Sequence, residues 1–311
     1  MAKVTTEKFA DAQFGNCVKI TNGLVELHVT VDYGPRVIYC SCVGMDNMFF
    51  QDTTKAPLDK KYNVYDDQII LYGGHRVWIS PEVVPRCYHP DNVPVTVENL
   101  PNGAKFLGAV EKHNQIQKSI TITLAEDSPK VKVVNAIQNV GLWDIEMAVW
   151  GITMLAAGGI EVMPMPDRNT GLLPNRNFTF WDYTNLGDSR IKFGKEYLTL
   201  LQDSTQEQPF KLGYNNEKGW AAYLNKDQIF LKTFSPVLGG NYPDNGCCFE
   251  TYTNAKMIEM ETLGEIKTVA PGETIEISEE WALINKVEAL DAKDVEVAIK
   301  LNSSVSAFLP K

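Results

Sequence analysis

The part of the chain richest in reactive groups is Ile70-Leu71-Tyr72-Gly73-Gly74-His75-Arg76-Val77-Trp78-Ile79-Ser80-Pro81-Glu82. A phenol, an imidazole, a guanidinium, an indole and a carboxylate stand close together there, and such groups hold and transform polar organic molecules. The adjacent glycines let the backbone come close to something bulky or take up φ > 0. The plain alternative is a bulged strand with an ordinary surface. A second constellation is Met257-Ile258-Glu259-Met260-Glu261-Thr262-Leu263. Alternate residues of a strand share a face, so Glu259 and Glu261 point together, about 7 Å apart by strand rise. Like charges on one face repel, and a partly buried one has its pKa raised, which makes a carboxylate a useful base near neutrality. Periodicity alone also fits a solvated polar face. Trp150, amid Met147-Ala148-Val149 and Ile152, reads as core or as a cleft wall on which a sugar ring stacks, and Trp78 carries the same two readings. His75, His89 and Glu82 are possible metal donors, but the separation of the two histidines across a proline-rich loop is not diagnostic. No metal or cofactor is expected.

The elements that must position these groups read as short strands. Cys17–Thr21 and Leu24–Val31 flank Asn22-Gly23, a hairpin signal for a type I′ turn. In the second arm Val25, Leu27, Val29 and Val31 alternate with Glu26, His28, Thr30 and Asp32, giving one dry face and one wet face. Residues 51–69 lose all periodicity and lead straight into the glycine pair, as a loop lining a site would. Prolines 81, 85, 90 and 94 stiffen a further loop carrying Arg86, His89 and Asp91. Strand signals continue through Glu146–Leu155. Residues 164–190 form a second long irregular segment with Trp181 and Tyr183, and strands resume from Gly219. Ala270-Pro271-Gly272-Glu273 suits a type II turn. Only the tail reads as helix, capped by Asp291 and carrying Val295, Ala298 and Ile299. Helical patterns between strands are absent, so the expectation is an all-β, mostly antiparallel sandwich in one domain.

Composition sets the outer limits. The 311 residues are 44% hydrophobic and 22% charged, as in an ordinary globular protein. A net charge of −10 argues against nucleic acid as partner. No apolar run approaches a membrane span and the first residues lack a secretory signal, so a cytoplasmic location is expected. The six cysteines show no CxxC pair and read as reduced thiols.

The order of motifs resembles the galactose-mutarotase-like superfamily, the aldose 1-epimerase relatives. Val18–Phe50 is similar to the first strands of that group. Leu71-Tyr72-Gly73-Gly74 resembles its Leu-His-Gly-Gly motif, Met260-Glu261-Thr262 its late strand with the catalytic glutamate, and Val269–Glu273 through Trp281-Ala282-Leu283 its closing Pro-Gly-Glu and final strand. The resemblance covers about residues 16–285, and the variant Gly-Gly-His-Arg-x-Trp-x-x-Pro-Glu marks an atypical branch. It implies a β-supersandwich over residues 1–311, with 286–311 as a C-terminal extension, and a concave face that binds a monosaccharide. In aldose 1-epimerases a glutamate deprotonates the anomeric hydroxyl and a histidine protonates the ring oxygen. Glu261 matches the glutamate. Tyr72 and Trp150 stand where the family has histidines, which leaves His75 or Tyr72 as the acid. Tyr72, Arg76, Trp78, Glu82, Trp150 and Glu259 would contact the sugar. Arg76 is always charged and cannot give up a proton near neutrality. The resemblance implies aldose 1-epimerase-like anomer interconversion; a non-catalytic sugar-binding protein on the same scaffold is the alternative. Arg76 and Arg86 would suit an acidic sugar, and the oligomeric state is open.

Overall fold

Alternating residues become strands over most of the chain. The computed structural model describes residues 3–65, 67–285, 301 and 303–309. In chain order the strands are β1 (Thr5–Asp11), β2 (Gly15–Thr21), β3 (Val25–Thr30), β4 (Val37–Cys42), β5 (His75–Ser80), β6 (Thr96–Leu100), β7 (Gly103–Glu111), β8 (Ile116–Leu124), β9 (Lys130–Asn139) and β10 (Ile145–Ala156). There follow β11 (Ile160–Pro164), β12 (Phe178–Phe180), β13 (Ile191–Phe193), β14 (Tyr197–Leu201), β15 (Phe210–Tyr214), β16 (Trp220–Asn225), β17 (Gln228–Phe234), β18 (Phe249–Thr253), β19 (Met257–Leu263), β20 (Lys267–Val269) and β21 (Thr274–Asn285). They form two antiparallel sheets. The first runs β1-β2-β3-β4-β5-β10-β19-β18-β15-β12, with β20 also on β10; the second runs β13-β14-β11-β16-β17-β21-β9-β8-β7-β6. This is the expected all-β sandwich. Among the described residues no helix is long and apolar enough to cross a membrane.

The two sheets share one large apolar core to which both contribute. Phe49, Phe230 and Trp281 meet edge to face at 5.3–5.6 Å, a geometry that contributes about 0.5–1.5 kcal/mol per pair beyond area burial. The sheets approach closely at Gly151 of β10. A Cβ there would stand 2.6 Å from Glu279 Oε1 and 2.9 Å from Asn135 Nδ2, on β21 and β9 of the facing sheet. All six cysteines are free and buried.

Several expectations change in detail. β1 precedes the first strand read from the sequence, and β14 and β15 lie in a stretch not read as strand. The Asn22-Gly23 hairpin forms, but only Gly23 has positive φ, so the turn is not type I′. Asn22 is buried instead. Its amide donates to the Ala125 and Ser128 carbonyls at 2.7 and 2.9 Å, and its Oδ1 accepts from the backbone amides of Leu24 and Val25. The 270–273 turn is as expected, with Gly272 at φ +84° and Glu273 N–H donating to Ala270 O. The tail helix placed around Asp291, Val295, Ala298 and Ile299 lies outside the described residues; Ser306–Phe308 is a 3-10 turn.

Candidate functional site

Residues directly opposed across an antiparallel pair share a face. Register therefore dictates what the middle of the first sheet presents. Arg76 opposes Ile152, Ile152 opposes Glu261, and Glu261 opposes Glu250. Trp78 opposes Trp150. Met154 opposes Glu259, Glu259 opposes Tyr252, and Tyr252 opposes Lys211. Strands β5, β10, β19, β18 and β15 thus build one continuous face, the floor of a cleft of about 740 Å³. The 51–69 loop closes one side with Pro57, Leu58 and Tyr62, and the 164–190 segment brings Trp181 and Tyr183. Both irregular stretches of the sequence are cleft walls. Trp78 packs edge-on to Trp150 at 5.7 Å and to Tyr88 at 5.0 Å, and Tyr88 stacks on Tyr62.

Charge is set into this aromatic surface. The Arg76 guanidinium lies over the Trp78 ring at 4.6 Å and meets Glu259 at 3.5 Å; its Nε and Nη1 are buried without an acceptor. Burial, reinforced by Glu261, pushes the Glu259 carboxyl up to about 7 despite Arg76. Lys211 Nζ stands 4.9 Å from the Trp150 ring and 4.6 Å from that of Trp181. It bridges Glu250 at 2.8 Å and Glu261 at 3.0 Å. Burial pulls the ammonium down, but the two carboxylates outweigh it and hold Lys211 well above the ordinary lysine value. Trp150 Nε1 donates to the same Glu261 oxygen at 2.8 Å. Glu82 lines the cleft and accepts from the Tyr88 hydroxyl.

Of the residues singled out in the sequence, Arg76, Trp78, Glu82, Trp150 and Glu259 line this cleft. Three placements are corrected. Glu261 is fully buried and lies beneath the lining side chains, held by Lys211 and Trp150. His75 faces the opposite side of β5, because neighbouring strand residues point opposite ways. It sits between the sheets, with Nδ1 on Thr153 Oγ1 at 2.8 Å, Nε2 on Asn135 Oδ1 at 2.9 Å and its ring against Trp281. Burial lowers its pKa to about 4. A proton donor for a cleft ligand does not fit that position. Tyr72 belongs to a separate apolar cluster, stacked on Tyr33 at 3.9 Å. The glycine pair also serves the chain itself: a Cβ on Gly73 would meet Phe50 O at 2.2 Å and one on Gly74 would meet Val37 O at 2.1 Å.

The donors of the considered metal site are dispersed. Glu82 is in the cleft, His75 is between the sheets, and His89 lines a second cavity of about 320 Å³ beside Tyr65 and His113. Four of the charges lining that cavity pair with each other, Arg36 with Asp91 and Lys118 with Glu111. Among the described residues no three His, Cys, Asp or Glu side chains are grouped to hold a metal.

Lys211, Glu250 and Tyr252 were not singled out in the sequence, and Trp181 and Tyr183 were named only as part of an irregular segment. A signal existed for Lys211: Phe210, Leu212 and Tyr214 alternate with Lys211 and Gly213.

No protein-family model and no curated protein matches the sequence. Solved structures do match. One is a putative aldose 1-epimerase from Klebsiella pneumoniae, 10% identical, with 97% of this chain and 87% of that one covered at a TM-score of 0.57. Another is a galactose mutarotase-like protein from Clostridium acetobutylicum, 11% identical, with 91% and 99% covered at 0.55. A third is a putative mutarotase from Salmonella typhimurium, 10% identical, with 92% and 95% covered at 0.54. At such identities the likeness is one of architecture, and the two sheets with their strand-floored cleft give this chain the galactose-mutarotase-like fold.

Proposed function

We propose that the cleft binds a monosaccharide or sugar derivative and interconverts its anomers in the manner of an aldose 1-epimerase, with Glu259 as base. The supporting observation is Glu259 itself: a carboxylate at the edge of an indole-lined floor whose pKa of about 7 lets it both take and return a proton near neutrality. Flat aromatic faces suit the apolar face of a sugar ring. Glu259 removes the proton from the anomeric hydroxyl, the bond from C1 to the ring oxygen breaks, and the ring oxygen takes a proton from solvent while the Lys211 ammonium stabilises its developing negative charge. Rotation about C1–C2 and the reverse steps close the ring on its other face. Glu261 then acts through Lys211 and Trp150 rather than on the sugar. Exchange NMR on a panel of aldoses is the test. Wild-type acceleration that falls at least a hundredfold in Glu259→Gln supports the reading, and equal rates for both proteins sink it.

A second reading rests on a specific observation. Among the described residues that line the cleft there is no imidazole, which favours a protein that binds sugar without converting it. Saturable quenching of tryptophan fluorescence by a sugar, with no acceleration of its anomer exchange, supports that reading; acceleration overturns it.

A further inference from the structure

The cavity of about 320 Å³ lies on the other side of β5 from the cleft. Val77 lines it, while Arg76 and Trp78 on either side line the cleft, because adjacent strand residues face opposite ways. The facing sheet supplies Gly108, Ala109 and Val110 of β7. There the pairing of β7 with β8 shifts register between Leu107 and Val110, an irregularity of the kind that disrupts a ladder locally and bends the strand. Pro35, Val77, Val93 and Val110 give the cavity apolar walls, and Val93 and Val110 are half-exposed. Three rings stand together at its side. Tyr65 stacks on His113 at 4.5 Å, and His89 lies 5.1 Å from Tyr65 and 5.8 Å from His113. Of the charged groups, Arg36 is paired with Asp91 and Lys118 with Glu111. The other two, Asp67 and Lys112, are exposed and opposite in sign, and Asp67 accepts from Asn92 Nδ2 at 2.9 Å. The polar side-chain groups left over are the Tyr65 hydroxyl and the two imidazoles. His89 Nδ1 meets the Pro90 carbonyl at 2.8 Å. A carbonyl only accepts, so Nδ1 carries the proton and Nε2 of the neutral ring is an acceptor. Among the described residues nothing donates to it.

We propose that this cavity is a second ligand site, for a small uncharged aromatic ring bearing one O–H or N–H donor, phenol or indole in kind, which donates to His89 Nε2. Cavities of about 300–1,000 Å³ with mainly apolar walls and a few convergent polar groups are those that hold small molecules. The charge pattern selects an uncharged ligand: each buried cation already has its carboxylate, so an ion entering the cavity would lose hydration and gain no free counter-charge. The rings select an aromatic one, since a further flat ring continues the edge and face contacts that Tyr65, His89 and His113 make with one another. The fixed His89 tautomer selects a donor over an acceptor. A sugar is a poor fit here, because its many hydroxyls would face valine and proline walls. The site is independent of the sugar reading of the cleft and stands or falls without it.

The chain has only four histidines, so ring spectra of the full chain carrying ¹⁵N-labelled histidine report on the site directly. The probe is 4-methylphenol, titrated at neutral pH without any sugar. The expected result is a saturable shift of the His89 and His113 signals, with His28 and His75 unmoved. 4-Methylanisole has the same ring and no donor, and should bind about three- to tenfold more weakly, the contribution of one hydrogen bond. Cyclohexanol, a donor without an aromatic face, should also bind more weakly. His89→Phe keeps a flat ring and removes the acceptor; read at His113, it should bring 4-methylphenol down to the affinity of 4-methylanisole. Val110→Trp, at a half-exposed position, should fill the cavity and abolish the shifts. No saturable shift of His89 up to millimolar 4-methylphenol, or shifts confined to the tryptophan indoles of the cleft, would overturn the site. Equal wild-type affinity for 4-methylphenol and either control would overturn the ligand class, as would unchanged 4-methylphenol affinity in His89→Phe.

Discussion

Two of the places where the molecule buries charge lie on opposite faces of the first sheet, and they treat it differently. Between the sheets, Glu279 receives Trp281 Nε1 at 2.6 Å, the Thr262 hydroxyl and Lys232 at 3.3 Å, and Lys232 also donates to Met260 O. Burial raises the Glu279 carboxyl, but Lys232 and its hydrogen bonds outweigh it and the group stays below the ordinary glutamate value. Apart from Asn135 Nδ2 and the Oε1 of neighbouring Glu161, the groups around His75, Lys232 and Glu279 are satisfied. On the cleft face, four atoms of Arg76, Glu250 and Glu261 lack partners, and Glu259 and Glu250 are pushed up by burial. The inner cluster has used its hydrogen-bonding capacity to join the sheets. Of these, the free Nε and Nη1 of Arg76 belong to a side chain that lines the cleft, a reserve that suits a polar ligand.

That contrast is breakable at four points, in descending size. Lys232→Met strands Glu279 without a counter-charge and is expected to cost about 3–5 kcal/mol in urea denaturation. The next effect is on pH dependence. His75 has a folded pKa of about 4 against an ordinary 6.5, so below about 6.5 the unfolded chain binds a proton that the folded one refuses. Stability falls as pH drops from about 6.5 to about 4, by about 3 kcal/mol in total, then levels. His75→Gln should remove that part of the acid slope and leave sugar affinity unchanged; a cleft role for His75 would show as altered affinity. Third, Glu259→Gln should cut anomer exchange at least a hundredfold, about 2.7 kcal/mol, while changing sugar binding only a few-fold. Smallest in its effect on the ligand, Trp78→Phe should weaken sugar binding several-fold by fluorescence or calorimetry while keeping most of the packing of this 6% exposed side chain.

The same contrast explains what could be read in the sequence. Alternation is local, so the strands and the shared face of Glu259 and Glu261 were legible from single segments. Alternation also separates His75 from Arg76, since adjacent strand residues cannot enter one cleft together. Taken strictly, it removes His75 from the site. Register is not local. That Glu250 opposes Glu261, or that Lys211 reaches both, depends on which strands become neighbours and with what offset. Tyr72 was misplaced for another reason: it precedes β5 in a left-handed conformation, φ +57°, where strand parity no longer applies.

The run Tyr72-Gly73-Gly74 has a consequence for anyone mapping function by mutation. All three residues have positive φ, and both glycines cross a neighbouring carbonyl too closely for any side chain. In a saturation screen scored only by activity, this tripeptide would rank among the least tolerant positions and look like the heart of the catalyst. Scored by protein abundance, it would fail just as badly, while Glu259 would pass. The ratio of the two scores, position by position, distinguishes a residue that builds the wall from one that works inside it.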